Sequence, residues 1–185
     1  DVYEGAFKHY KKHGKGIYLY ANGNMYKGDF RNDVREGKGV FYCTGILIYE
    51  GDWVGDKMNG EGKLYFANGN TYGGTFRNDE ISGNGLFHYA NGSSYQGDFK
   101  KGLYHGFGSF ASPKGNTYTG QWKYGQKCGE GKMIYTNKTS YNGNWKNDKR
   151  CGHGAYTDPS GGVYEGDWKS DMMHGFGMLR YKNGS

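Results

Sequence analysis

Cysteine is scarce in this chain, and its three residues, Cys43, Cys128 and Cys151, lie far apart. This scarcity argues against a disulfide framework and predicts free thiols in a reducing compartment. No apolar run approaches the roughly 20 residues that a membrane-spanning helix needs, and no basic segment followed by a short apolar segment opens the chain as in a signal peptide. We therefore expect a soluble, cytoplasmic protein.

Proline is also rare, with two residues, whereas glycine contributes 36, tyrosine 19, and phenylalanine with tryptophan 10 and 4. This composition is unlike that of the leucine-rich and alanine-rich helical repeats. Aromatic residues favour strands, and clustered glycines favour the turns between them. The composition therefore indicates an all-β protein.

One pattern recurs every 23 residues without insertion or deletion, which is the mark of a repeat array. Because no linker interrupts the period, we expect one elongated domain covering residues 1–185. Asp1 and Val2 occupy the last two places of a preceding repeat, and Ser185 stops one residue short of completing the eighth, so we expect a fragment of a longer array. The eight repeats begin at Tyr3, Tyr26, Tyr49, Tyr72, Tyr95, Tyr118, Tyr141 and Tyr164.

The third repeat, residues 49–71, shows the pattern when its places are numbered from Tyr49. Gly51 fills the third place and Trp53 the fifth, and every repeat has glycine and an aromatic residue there. Glycine also fills the twelfth and fourteenth places, and the sixteenth is always apolar. Side chains alternate across a strand, so the tyrosine, the glycine and the aromatic residue share one face. We predict that rings from adjacent strands lie over the glycines.

Two kinds of turn are expected. Within the third repeat, the polar residues 55–59 predict a hairpin loop of four or five residues. Between repeats, Asn-Gly pairs such as Asn68-Gly69 and Asn183-Gly184 supply the positive φ of a turn. The second repeat has Thr44-Gly45-Ile46 and the sixth has Asn137-Lys138-Thr139 instead, so altered loops are expected at both places.

The predicted fold is a single-layer, elongated antiparallel meander of β-hairpins, a rod with an aromatic groove along one face. No second sheet or helix in the sequence covers that groove, so we expect it to receive helical segments of partner proteins. Packing is the alternative role for each ring. The predicted groove residues include Tyr49, Trp53, Tyr72, Phe76, Tyr118, Trp122, Tyr141 and Trp145.

The pattern Tyr-x-Gly-x-[Phe/Trp], followed by Gly-x-Gly-x-apolar, closely resembles the MORN repeat (membrane occupation and recognition nexus) over essentially the whole chain. The turn-rich composition, as in YTNKTSYNGNWKNDKR, is similar to that of the all-repeat MORN proteins of apicomplexan and other protozoan parasites. That resemblance implies a hairpin scaffold of the basal complex, the cytoskeletal ring used in daughter-cell budding. We therefore expect a cytoskeleton-associated location near the membrane.

No enzymatic activity is expected. Serine, histidine and aspartate are scattered without a recognisable nucleophile, base and orienting acid. Glycine-rich stretches such as Gly28 to Gly39 follow the repeat spacing and lack the GK[ST] signature of a phosphate-binding loop. No cofactor is required on this interpretation.

Basic residues fill the sixth place in seven repeats and supply the alternative function, a module that binds phosphoinositides or other anionic lipids. Acidic residues at the second and fourth places of the same face, such as Glu4 and Asp29, are expected to neutralise this column. Lipid binding should therefore be weak or indirect, and nucleic-acid binding is not expected. The basic column consists of Lys8, Arg31, Arg77, Lys100, Lys123, Lys146 and Lys169.

The C-terminal repeats expose more apolar residues than a solvated face should, which predicts self-association into a homodimer. Cys151 and His153 stand two residues apart, so a regular strand would point them the same way about 7 Å apart. Two such pairs across a two-fold axis would supply the Cys₂His₂ set that a structural zinc ion favours, unless His153 is only a turn-flanking residue. The predicted dimer interface comprises Cys128, Cys151, His153, Met172, Met173, Phe176 and Met178.

Overall fold

A computed structural model describes residues 1–182, and the Asn183-Gly184 turn and Ser185 lie outside them. The chain forms two compact units, Asp1–Ala90 and Asn91–Ser185, where the sequence predicts one domain. Each unit is an antiparallel meander in which successive strands are neighbours, and residues 1–182 contain no helix. The predicted all-β hairpin fold is confirmed. The strands of the first unit are β1 (Val2–Lys8), β2 (Lys11–Leu19), β3 (Met25–Arg31), β4 (Val34–Cys43), β5 (Ile46–Val54), β6 (Lys57–Tyr65), β7 (Thr71–Arg77) and β8 (Glu80–His88).

The second unit repeats this arrangement. Each of its repeats supplies a seven-residue strand and a nine-residue strand, because the tight inner turn and the five-residue outer loop fall at fixed places of the 23-residue pattern. Its strands are β9 (Ser94–Lys100), β10 (Leu103–Ala111), β11 (Thr117–Lys123), β12 (Gln126–Ile134), β13 (Ser140–Lys146), β14 (Lys149–Thr157), β15 (Val163–Lys169) and β16 (Met172–Arg180).

The turn inside each repeat is tighter than the sequence predicts. In the third repeat, β5 ends at Val54 and β6 begins at Lys57, so only Gly55 and Asp56 form the turn. Their φ values of 56° and 67° are both left-handed. Two successive left-handed residues are typical of a type I′ turn, whose twist matches that of the paired strands. The prediction of a four- or five-residue loop is therefore wrong.

The loop between repeats follows the predicted Asn-Gly turn. In Asn68-Gly69, the glycine has a φ of 83°. Its N–H donates to the carbonyl of Phe66 at 3.0 Å, and the N–H of Phe66 donates to the carbonyl of Asn70 at 3.0 Å. The side chain of Asn68 accepts the N–H of Asn70 at 3.1 Å and closes the loop.

The two exceptional loops behave differently from each other. In the second repeat, Thr44 and Gly45 alone join β4 to β5, so the altered loop is confirmed. In the sixth repeat, Tyr135 donates to Thr139 at 2.9 Å and Lys138 to Tyr135 at 3.0 Å, which are the bonds of the Asn-Gly loops. Lys138 takes the left-handed glycine place with a φ of 69°. The prediction of an altered sixth loop is wrong, because a lysine occupies the same conformation under strain.

A ladder of glycines crosses the strands of each unit, one glycine in each strand. In the third repeat, Gly51 lies directly opposite Gly62. The ring of Tyr49 covers both, and a Cβ added at Gly62 would collide with the ring and the hydroxyl of Tyr49. A Cβ at Gly51 would lie 2.5 Å from the Cα of Gly62. The prediction that rings lie over glycines is therefore confirmed.

The fourth place of the repeat caps a β-bulge. Pairing in the third repeat runs from Gly51–Gly62 to Trp53–Met58, so residues 59–61 oppose the single residue Asp52. Gly60, in the middle of the bulge, has a φ of 99°. The carboxylate of Asp52 accepts the N–H of Glu61 at 3.0 Å and so satisfies a donor that the ladder leaves unpaired. The equivalent acceptors elsewhere are Asp29, Asp98, Asn144 and Asp167.

The eighth place of the repeat connects neighbouring repeats. The N–H of Asp79 donates to the carbonyl of Met58 at 3.0 Å, and the side chain of Asp79 accepts the N–H of Met58 at 2.8 Å. This reciprocal pair joins the inner turn of one repeat to the start of the second strand of the repeat before it. It stabilises the stacking of repeats without any side-chain packing. The same aspartate pairing is made by Asp33, Asp56, Asp148 and Asp171.

The core of each unit is a continuous stack of rings. Tyr49 meets Trp53 of its own repeat edge-to-face at 5.2 Å and Phe76 of the next repeat at 5.1 Å. In the second unit, Tyr118 meets Trp122 at 5.0 Å and Trp145 at 5.3 Å in the same geometry. Each ring therefore packs between two others, and edge-to-face contacts are a favoured arrangement for aromatic side chains.

Candidate interaction surfaces

The rings predicted to line an open groove are buried instead. Each is covered by the edge-on ring of its own or the next repeat, so none offers a surface to a partner. They contribute packing, which was the alternative role. Their exposed fractions are Tyr49 1%, Trp53 4%, Tyr72 0%, Phe76 1%, Tyr118 0%, Trp122 6%, Tyr141 0% and Trp145 5%.

A second set of rings, half-buried except for the exposed Tyr181, forms a surface that we call the aromatic strip. It consists of the aromatic residues at the sixteenth and eighteenth places, and in the first unit its rings contact one another. Tyr18 and Tyr20 lie 4.7 Å apart, and Phe87 and Tyr89 lie 4.6 Å apart. Aromatic residues alternating at these two places were the sequence signal for this surface. The strip of the first unit comprises Tyr18, Tyr20, Phe41, Phe66, Phe87 and Tyr89.

In the second unit the strip borders a cavity of about 470 Å³. The guanidinium of Arg150 lies over the ring of Trp168 at 4.4 Å, and its Nε is 3.2 Å from the carboxylate of Asp171. Tyr135 and Tyr156 complete the aromatic lining. A cation held over a ring and paired with a carboxylate keeps this side chain in place. The cavity therefore has a fixed polar group beside apolar walls.

The last strand, β16, carries most of the predicted dimer interface. Met172, Met173, Phe176 and Met178 are 66%, 51%, 90% and 55% exposed. Every described residue of the strand is exposed, and within residues 1–182 its pairing partner is β15. This is the largest group of exposed apolar side chains on one strand of the described chain.

The three cysteines have free thiols, as predicted. Cys151 is half-buried and His153 is exposed, and Gly152 between them has a left-handed φ of 57°. The bulge interrupts the regular alternation of the strand, so the 7 Å spacing predicted from a regular strand does not apply to this pair. The Nδ1 atom of His153 lies 3.6 Å from the carboxylate of Asp167. Residues 1–182 contain no group of three or more histidine, cysteine or acidic residues placed to hold a metal ion.

All seven residues of the basic column are exposed, and within the described part of the chain none forms an ion pair. The acids at the fourth place have other partners. Asp29 pairs with Lys15 at 2.8 Å and Asp52 with Lys38 at 2.6 Å, in addition to capping their bulges. Asp29 and Asp52 therefore make no direct ion pair with the basic column, because they pair with lysines at the thirteenth place.

Tyr72 and Tyr141, both at the first place of their repeats, keep their protons at neutral pH. Burial raises the pKa of Tyr72 and Tyr141 from 10.0 to about 12. Their hydroxyls donate to the backbone carbonyls of Thr75 at 3.1 Å and Asn144 at 3.0 Å. At neutral pH they are structural hydrogen-bond donors.

Residues 1–182 also contain no helix long and apolar enough to cross a membrane.

Comparison with known families finds the MORN repeat along essentially the whole chain. Matching segments begin at the eight tyrosines predicted to start the repeats, which confirms the resemblance seen in the sequence. No curated protein matches significantly. The matched segments are residues 3–25, 26–45, 49–71, 72–94, 95–117, 118–140, 141–163 and 164–185.

Two solved structures are similar to this chain over most of its length. The SAS-4 (dCPAP) TCP domain of Drosophila melanogaster, in complex with a proline-rich motif of Ana2 (dSTIL), is 13% identical with a TM-score of 0.44, covering 92% of this chain and 86% of that one. The TCP10 domain of Danio rerio CPAP, in complex with a STIL peptide, is 14% identical with a TM-score of 0.27, covering 83% and 78%. Neither likeness carries an inference about function.

Proposed function

Because the chain belongs to the MORN-repeat family, we propose that it is a non-enzymatic structural scaffold, a protein-interaction module of a cytoskeletal complex. Its place is the budding machinery of a dividing parasite cell, in the cytoplasm near the membrane. Its C-terminal repeats join two copies into a homodimer. The exposed apolar strand β16 is the observation that carries this proposal.

The repeat chemistry supports a scaffold. The invariant tyrosine hydroxyls, the fourth-place carboxylates and the eighth-place aspartates are all engaged in holding the array together, as for Tyr49, Asp52 and Asp79. The surface offered to partners is the aromatic strip, whose half-buried rings suit the apolar face of an amphipathic helix in a cytoskeletal protein. This strip takes the place of the buried rings that the sequence suggested.

Light scattering combined with small-angle X-ray scattering tests the dimer. Phe176 occupies the thirteenth place of the last repeat and is 90% exposed. The variant Phe176→Glu introduces a charge into the proposed interface and should convert the dimer to a monomer. Phe107→Glu is the matched control, since Phe107 has the same place in the fifth repeat and is 60% exposed. A monomeric wild type, or equal loss of dimer in both variants, would contradict the proposal.

A zinc ion between two Cys151–His153 pairs is a further part of this proposal. Zinc favours tetrahedral cysteine and histidine ligands, and two protomers would supply four. Metal analysis of the purified dimer should find one zinc ion for every two chains. The ion should be lost in Cys151→Ser and retained in Cys128→Ser, which changes the equivalent residue of the preceding repeat. If the purified dimer contains no zinc, the proposed zinc site is wrong, whereas the proposed dimer interface is unaffected.

Binding of phosphoinositides or other anionic lipids is the second candidate function. It is favoured by the basic column, which is exposed and forms no ion pair among residues 1–182. Sedimentation with vesicles containing phosphoinositide measures it. Replacing Lys123, Lys146 and Lys169 by glutamate should abolish pelleting if this column binds the headgroups. The same exchange at exposed Lys114, Lys132 and Lys182 keeps the net charge equal and is the control. Equal pelleting of both variants would reject a site at the basic column.

A further inference from the structure

The first unit has a groove on the sheet face opposite the buried rings, and we call it the glycine trough. Its floor is the backbone of the glycine ladder, including Gly16, Gly28 and Gly39, and its volume is about 730 Å³. The tyrosine rings occupy the face toward which a glycine Cβ would point, so the other face of the ladder is bare. Side chains flank this bare line on both sides.

One wall combines apolar side chains with Lys27, and the other carries lysines paired with aspartates. Ile17 and Val40, both at the fifteenth place of their repeats, project from the first wall, and Lys27 lies between them in the sheet register. Lys15 and Lys38, both at the thirteenth place, form the second wall. The same pair of side-chain types therefore recurs one repeat further along the trough.

The width of the trough selects an extended chain. Its walls stand two residues apart on every strand, which is about 6.6 to 6.8 Å. An α-helix with its side chains has a diameter of about 10 to 12 Å and does not fit between them. Gly16 pairs with Gly28, and Gly28 pairs with Gly39. The backbone groups of the floor therefore lie within the plane of the sheet, where they bond to neighbouring strands. The floor therefore favours a ligand that does not depend on new main-chain hydrogen bonds.

The repeat length of the trough matches one backbone conformation. Two strands per repeat advance about 9.6 Å at ~4.8 Å per strand. A polyproline II helix has three residues per turn and a rise of about 3.1 Å, so it advances about 9.3 Å per turn. Every third residue of such a segment would meet Ile17 and then Val40. Its backbone has no internal hydrogen bonds and keeps its shape through proline, which lowers the entropy cost of binding.

Charge determines the remaining chemistry of the ligand. Three lysines and one acid, Glu4, have side chains in the lining of the trough. Lys15 and Lys38 already pair with Asp29 and Asp52, whereas Lys27 is exposed and forms no ion pair among the described residues. We propose that the glycine trough binds a proline-rich, acidic segment of a partner protein in the polyproline II conformation. This goes beyond the proposed function, since it concerns the face opposite the aromatic strip.

The second unit supplies an internal comparison. It has the same glycine floor, at Gly143 and Gly154, in a cavity of about 450 Å³. Glu130 takes the place of Lys15 and Lys38, and Ala155 the place of Ile17 and Val40. Glu165 takes the place that Glu4 and Lys27 have in the first unit. An acidic ligand is repelled there, so binding should be confined to the first unit.

Fluorescence anisotropy with labelled peptides of about twelve residues tests the proposal, since such a polyproline II segment extends about 37 Å over four repeats. The probes are repeats of Pro-Pro-Glu, of Pro-Pro-Lys, and of Gly-Ser-Glu, which has the charge without the stiffness. Pro-Pro-Glu should bind at least about tenfold more tightly than either control. Lys27→Glu should weaken this binding about tenfold, and Lys132→Glu, which changes an exposed residue of the second unit, should leave it unchanged.

Backbone amide chemical shifts locate the peptide. Shifts at Gly16, Gly28 and Gly39 are expected, with none at Gly143 and Gly154. Equal affinity for Gly-Ser-Glu, shifts at the second unit, insensitivity to Lys27→Glu, or no saturable binding would each overturn the proposal. Light scattering on the same samples reports dimerisation separately, so failure of the trough is distinguishable from failure of the scaffold interface.

Discussion

The ring of Tyr49 closes over Gly62 on the neighbouring strand and leaves no room for a Cβ atom there. Its hydroxyl reaches past the glycine and donates to the carbonyl of Asp52 at 3.0 Å. One tyrosine thus covers the ladder, anchors the bulge and starts the edge-to-face stack with Trp53 and Phe76. This arrangement requires glycine in the neighbouring strand, because any Cβ atom there would collide with the ring.

Alanine at Gly62 should destabilise the protein by about 3 kcal/mol, because the added methyl group forces the Tyr49 ring out of its place. Gly73→Ala is the matched control in the same unit. A Cβ at Gly73 meets nothing within 4 Å, so this change should stay within about 0.5 kcal/mol or stabilise slightly. Urea denaturation of both variants measures the difference. Similar costs at both positions would show that the ring does not depend on the bare glycine.

Alanine at Asp52 should cost about 1 to 2 kcal/mol, since the N–H of Glu61 in the bulge loses its acceptor. Asparagine should be tolerated better, as Asn144 already accepts the corresponding N–H of His153 at 3.3 Å. Its cost should remain below about 1 kcal/mol, the size of the lost surface ion pair with Lys38. Thermal unfolding distinguishes the two variants. If asparagine costs as much as alanine, the charge rather than the hydrogen bond stabilises the bulge.

Stability should fall as the pH rises above 10. Burial raises the pKa of Tyr72 and Tyr141 from 10.0 to about 12, so the unfolded chain releases these protons first. Between pH 10 and 12 the unfolded state binds fewer protons than the folded state, and the free energy of unfolding therefore decreases with pH. Below pH 10 this contribution is fully present.

Denaturant unfolding at a series of alkaline pH values, with tyrosinate absorbance recorded in parallel, tests this dependence. Tyr141→Phe removes one titrating group and should make the decrease shallower, although it also removes the hydrogen bond to Asn144. An unchanged slope in this variant would show that Tyr141 does not contribute to the alkaline loss of stability.

Glycine at Lys138 should stabilise the protein by about 0.5 to 1 kcal/mol. Lys138 has a φ of 69° in a loop whose counterparts carry glycine, and a left-handed conformation costs a residue with a Cβ roughly 1 to 2 kcal/mol, partly offset by the flexibility of glycine when unfolded. Gly23→Lys, at a φ of 83°, is the reciprocal change and should destabilise by a similar amount. Melting temperatures of both variants report the effect, and a shift of the same sign in both would contradict it.

The sequence was sufficient to identify the repeat, its two strands and its glycine-on-ring packing, because these depend on local periodicity. It was also sufficient for the Asn-Gly loops, because asparagine and glycine favour their conformation. It was insufficient for Asn137-Lys138, which adopts the same loop without the glycine. It was insufficient at the bulge, since three residues opposing Asp52 are a feature of pairing between strands. Because the bulge was not predicted, the predicted partners of the fourth-place acids and the predicted orientation of Cys151 and His153 assumed a regular strand.

By itself, the sequence determined the family and the hairpin architecture through a strict 23-residue period with glycine and aromatic residues at fixed places. The tertiary structure decided which rings a partner can reach. Tyr49 and Trp53 are residue types that often line binding grooves, but the next repeat covers them. Rings such as Phe87 and Tyr89, in contrast, stay half-buried. The physical reason is that burial depends on how one repeat stacks on the next, which the order of residues within a single repeat does not specify.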